Sequence, residues 1–89
     1  MSEVTLGKIL KEMYQTSPKG FQVANIHLFS IYYADVIERD CLNKKEILQA
    51  ADMQQSYQTE ISKGINLALY VSIKEEQIKR IQQIEAKYN

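Results

Sequence analysis

The sequence predicts an all-α protein, a compact bundle of four to five helices. Three observations carry this. One proline and three glycines in 89 residues leave few chain breaks, apolar residues recur at three- and four-residue spacing, and two capping-box patterns, Asn43 to Glu46 and Ser72 to Glu75, mark helix starts. At 45% hydrophobic and 25% charged, the composition is that of a folded chain rather than a disordered one. The length corresponds to a single domain, residues 1–89.

The first helix is expected at about Thr5 to Gln15, striped by Val4, Leu6, Ile9, Leu10, Met13 and Tyr14. Ser17 is placed to cap the next helix and Pro18 to occupy its first turn. That second helix runs to Arg39 and is apolar on nearly every side, with Phe21, Val23, Ile26, Phe29, Tyr33 and Ile37 among its residues. Such a helix is central, and Ile26, Phe29, Tyr33 and Ile37 are its expected core. His27 lies within it and reads as a hydrogen-bonded structural residue. Cys41 has no cysteine partner and reads as a small buried side chain. A third helix starts at the Asn43 cap and ends near Ala51, and a fourth spans about Gln54 to Lys63 with Gly64 as its left-handed stop. Residues 67–73 read as a short strand or extended connector. The C-terminal helix covers 73–88, striped by Ile73, Ile78, Ile81, Ile84 and Tyr88.

Charge and composition exclude several classes of function. Eleven basic residues balance eleven acidic ones, and the balance holds along the chain. Phosphate neutralisation therefore contributes little to any nucleic-acid affinity. One histidine and one cysteine cannot assemble a zinc site. No glycine-rich phosphate loop is present, and the acidic residues sit at helix ends, where they are favourable on electrostatic grounds alone. The expectation is a non-enzyme with no metal and no cofactor. No apolar run approaches the roughly 20 residues of a membrane span. The N-terminal "MSEVTLGKIL" lacks the pattern of a secretory signal, so a cytoplasmic location is expected.

The stretch 43–64 has the spacing of two short helices crossing at a turn. Ile47, Leu48 and Ala51 form the inner face of the first, Met53 fills the turn, and Ile61 packs the second back. Outward lie Gln54, Gln55, Ser56, Gln58, Thr59, Glu60 and Lys63, side chains able to bond base edges. In this register, in the "QSY" at 55–57 and in the closing Ile61-to-Gly64 spacing, the segment resembles the helix-turn-helix of Xre/Cro, lambda-repressor-like regulators. More loosely the chain is similar to small bacterial or phage proteins with a helix-turn-helix-like domain, often associated with mobile elements. Three positions depart from the Xre/Cro pattern: Asp52 replaces the turn glycine, Leu48 a small residue, and Gln58 an apolar one.

The resemblance implies a small transcriptional regulator that binds double-stranded DNA through Gln54, Gln55, Ser56, Thr59, Glu60 and Lys63. The alternative is an adaptor or inhibitor that turns the same face to a protein partner. The stripe of the last helix suits either a homodimer, through Ile78, Ile81, Ile84 and Tyr88, or packing on the domain's own second helix.

Overall fold

The computed structural model describes residues 1–89 and contains six α-helices and no strand. In chain order they are α1 (Glu3–Gln15), α2 (Gln22–Tyr32), α3 (Ala34–Arg39), α4 (Lys44–Ala50), α5 (Gln58–Leu67) and α6 (Glu75–Tyr88), with a 3-10 turn over Gln55–Tyr57. Ser2 starts α1 by accepting a hydrogen bond from the Thr5 amide at 3.2 Å. Asn43 starts α4 as expected, its Oδ1 accepting from the Glu46 amide at 3.1 Å. The Asn43 amide itself donates to the Glu3 carboxylate at 3.1 Å, so the cap also ties α4 to the start of α1.

Two helices end on a residue in the left-handed region. Cys41 has φ 51° and Asp52 has φ 56°. In each case the next residue donates its amide back five positions, Leu42 to the Ile37 carbonyl at 2.9 Å and Met53 to the Leu48 carbonyl at 3.0 Å. This is the Schellman stop, and its usual apolar contact is made by Leu42 and Met53, both packed against the core. The expectation for Cys41 is thereby corrected. It is exposed, its Sγ reaching only the Glu38 carbonyl of the last turn of α3 at 3.9 Å.

The expected second helix differs in four ways. Pro18 to Gly20 form a turn instead of a first helical turn: the Phe21 amide donates to the Pro18 carbonyl at 2.9 Å and Gly20 has φ 89°. Ser17, expected to cap forward, instead donates back to the Met13 carbonyl at 2.7 Å and closes α1. The helix breaks at Tyr33 (φ −98°, ψ 10°), which separates α2 from α3. Phe21 and Val23 are 59% and 42% exposed, so the helix is buried on one side only.

The core holds Leu6, Ile9, Leu10 and Met13 of α1, Ile26, Phe29 and Tyr33 from α2 and its end, and Ile37, Ile47, Leu48, Ile61, Ile81 and Ile84 from the others. The expected four, Ile26, Phe29, Tyr33 and Ile37, are all at most 2% exposed. Their burial gains about 1.5–3 kcal/mol per large side chain. The radius of gyration, 11.6 Å, matches the roughly 12 Å of a folded chain of this length. No helix is long and apolar enough to cross a membrane.

Helix α1 packs on α4, α2 and α6, while α5 packs mainly on α2. Glycine sits at two of these crossings. A Cβ on Gly7 would lie 2.8 Å from the Ile47 carbonyl oxygen of α4. A Cβ on Gly64 would lie 2.9 Å from the His27 carbonyl oxygen of α2 and would meet Ser30. Gly64 therefore does not stop α5. It lies inside the helix, which runs on to Leu67, and its missing side chain is what lets the two backbones touch.

The remaining boundaries follow from local bonding. Residues 68–74 form a turn and an extended connector with no strand pairing. The Ser72 box does not form. Lys74 takes the cap position of α6 in an extended conformation, with no side-chain bond to the helix.

Phe29→Ala should cost about 3–5 kcal/mol, read from urea unfolding. Cys41→Gly should gain about 1 kcal/mol, because it removes a left-handed penalty from an exposed site. An unchanged or lower urea midpoint in Cys41→Gly would contradict the assigned helix stop.

Candidate nucleic-acid interface

The two helices of the 43–64 segment are positioned separately. Helix α4 lies on α1 across Gly7, and α5 lies on α2 across Gly64. Between them Ala51 is buried, Asp52 makes the left-handed turn and Met53 is half-buried. Asp52 thus does the work of the missing turn glycine; short polar side chains tolerate this conformation best after glycine. Leu48 is fully buried in the core, so the larger residue at that position is accommodated.

The 3-10 turn is fixed from two sides. The Tyr57 and Tyr14 hydroxyls lie 3.1 Å apart, with ring centroids at 5.9 Å, which ties the turn to α1. That bond pushes the Tyr57 hydroxyl above its ordinary range, with burial adding to it. Gln55 donates to the Lys45 carbonyl at 3.2 Å, and Gln58 donates to Gln55 Oε1 at 2.9 Å. Gln58 therefore holds its place through an amide relay to α4, where the Xre/Cro pattern has apolar packing.

The structure divides the six expected contact residues. Gln54, Ser56, Thr59 and Lys63 are exposed, and Asn66 continues the same outward row. Gln55 is half-buried and bonded to α4. Glu60 is turned towards α2, where its Oε1 lies 2.8 Å from His27 Nε2, while its Oε2 accepts from Lys63 Nζ at 3.3 Å. His27 is thus hydrogen-bonded, and its partner is on α5.

The His27 bond holds the Glu60 carboxyl below its ordinary value of 4.5, with Lys63 adding to the effect against a desolvation penalty. Sequence reading did not find this contact. The histidine and the glutamate are 33 residues apart, and only the Gly64 crossing brings them together.

The other end of α5 differs in character. Leu67, Leu69, Tyr70 and Val71 are 41%, 79%, 84% and 46% exposed, an apolar group beside the polar row. The four residues expected at a dimer contact are placed mostly within one chain. Ile81 and Ile84 are 0% and 6% exposed in the core, Ile78 is half-buried, and the Tyr88 hydroxyl donates to Glu12 at 2.7 Å. They pack α6 chiefly on α1, and Ile78 also lines a groove with Ile31 and Tyr32 of α2. No group of three or more metal-ligating side chains is gathered anywhere.

A depressed carboxyl stabilises the fold above its unfolded value, and that stabilisation is lost as pH falls through the lower folded value. An NMR titration of the Glu60 side chain should therefore give a midpoint below 4.5 that rises towards 4.5 in His27→Ala. A midpoint unmoved by His27→Ala would show that the contact is absent in solution.

With the geometry in place, comparison with known proteins adds one finding. The family model described as an HTH-like domain matches residues 2–74, which covers α1 to α5 and the connector before α6. The chain belongs to this family, and at a coarse level the family points to DNA binding. No curated protein and no solved structure matches it.

Proposed function

From that membership, we propose that the protein is a small DNA-binding regulator of transcription that presents α5 to the major groove. The observation that carries this reading is an exposed polar row, Gln54 and Ser56 at the 3-10 turn and Thr59 and Lys63 on α5, whose opposite side is clamped to α2. The Gln54 amide and the Ser56 and Thr59 hydroxyls can bond base edges, whereas Lys63 suits a phosphate. Gln55 and Glu60 act indirectly: Gln55 fixes the turn, and Glu60 orients Lys63 by its hydrogen bond. Two copies on successive half-sites would set their α5 helices about 34–36 Å apart. Pairing would have to use surface other than Ile81 and Ile84, which the core already covers.

A second reading is favoured by two specific observations, the zero net charge and the exposed Leu67, Leu69, Tyr70 and Val71 beside the same row. In it, α5 and the following turn meet a protein partner, so that the molecule works as an adaptor or inhibitor.

Gel-shift selection from a random-sequence duplex pool separates the two. On the DNA reading a selected site is bound at about 50 mM salt, with a shallow salt dependence because few phosphates are neutralised. Thr59→Ala and Ser56→Ala should each cost about 1–3 kcal/mol of preference for that site. Absence of any shift at high micromolar protein transfers the face to a protein partner.

A further inference from the structure

Between α2, α6 and the turn after α1 lies a cleft of about 470 Å³, within the roughly 300–1,000 Å³ of small-molecule sites. Phe21, Ala24 and Leu28 form its apolar wall, and Arg80 and Asn25 line its polar side.

Arg80 is half-buried and makes no salt bridge, whereas Arg39, Lys63 and Lys87 each pair with a carboxylate. Its Nη1 donates to Asn25 Oδ1 at 2.7 Å and Gln77 Oε1 at 3.2 Å. Its Nη2 donates to the Met13 carbonyl and Thr16 Oγ1, both at 3.4 Å. These contacts pin α6 to the end of α1, but every acceptor is neutral, and Nε has none. Glu12, the acid on that side of α1, is engaged by Lys87 at 2.6 Å and Tyr88 at 2.7 Å. A partly desolvated guanidinium whose field reaches Glu12 but which has no carboxylate in direct contact favours an incoming anion.

Asn25 holds the position, and Phe21 adds an open apolar surface beside it. Asn25 is 5% exposed and uses both ends of its amide, Nδ2 donating to the Phe21 carbonyl at 2.9 Å while Oδ1 accepts from Arg80. The guanidinium is thereby locked beside the start of α2. The Phe21 ring, on the same cleft, is 59% exposed, apolar area that an apolar ligand would cover.

We propose that this cleft binds a small organic anion, a carboxylate carried on a flat apolar body, with the charge on Arg80 and the body against Phe21 and Leu28. The site is separate from the α5 face and does not depend on what that face binds.

The test is an NMR titration of the full chain with sodium phenylacetate, with phenylacetamide as the neutral probe of the same shape. Saturable shifts at Phe21, Leu28 and the Arg80 side chain are expected, with phenylacetamide binding at least about tenfold more weakly. Arg80→Gln should weaken phenylacetate to a similar degree. Phe21→Ala, a change at an exposed ring that leaves the α6 contacts intact, should weaken both probes and keeps the test decisive if Arg80→Gln does not fold. The proposal is overturned by absence of saturable shifts, by equal binding of the two probes, or by phenylacetate affinity unchanged in a folded Arg80→Gln or in Phe21→Ala.

Discussion

The contact on which the molecule depends most is the crossing of α2 and α5 at Gly64. Helix α5 has few apolar side chains of its own; only Ile61 and Gly64 are buried along it. A helix this polar is stable only if its narrow inner face is pressed hard against something. The absence of a Cβ at Gly64 brings its backbone onto Ser30 and the His27 carbonyl. That proximity replaces the side-chain packing the helix lacks, and it repays the roughly 1 kcal/mol that glycine costs inside a helix. The Gly7 crossing does the same for α4 on α1. Each half of the helix pair thus leans on its own support, and the angle between the halves follows from the positions of α1 and α2.

From this the chemistry of the exposed surface follows. Pressing Gly64 inward brings Glu60 to His27, and leaves Ser56, Thr59, Lys63 and Asn66 on the outside. The outward row carries amides, hydroxyls and a single cation, Lys63, and no free anion, because Glu60, the other charged residue of that turn, is held against α2. A face built this way discriminates by hydrogen bonds more than by charge. The Arg80 cleft lies at the other end of α2, at its first turn, so one helix supports both surfaces.

Features set by local chemistry were legible in the sequence. Asn43 announces its cap because its side chain serves an amide three residues on, and Ile26, Phe29, Tyr33 and Ile37 announce the core by their spacing. Gly64 is ambiguous in the sequence because a helix stop and a close helix crossing both call for glycine, and only the packing partner tells them apart. The lone Cys41 beside Leu42 reads as a small buried residue, but its conformation is set by the end of α3 and it is exposed. The Ser72 box fails although its residues are right, because the chain enters α6 only after Lys74. The break at Tyr33 likewise has no local signal. That side chain is buried and its hydroxyl donates to Glu85 of α6 at 2.9 Å, a tertiary contact 52 residues away. At the candidate site the outward residues were readable one by one. Their division into exposed and engaged side chains was not, since it depends on His27 and Lys45 from other helices.

The most direct test of the Gly64 crossing is a double-mutant cycle between Gly64→Ala and Ser30→Gly, followed by urea unfolding. If the added methyl group collides with Ser30, the two changes are coupled. Gly64→Ala should then cost about 1–3 kcal/mol in the wild-type background and clearly less where Ser30 is glycine, a coupling of at least about 0.5 kcal/mol. A Gly64→Ala protein at least as stable as the wild type would mean that the helices do not touch there and that α5 is held by other means, whereas additive losses would move the collision from Ser30 to the His27 carbonyl.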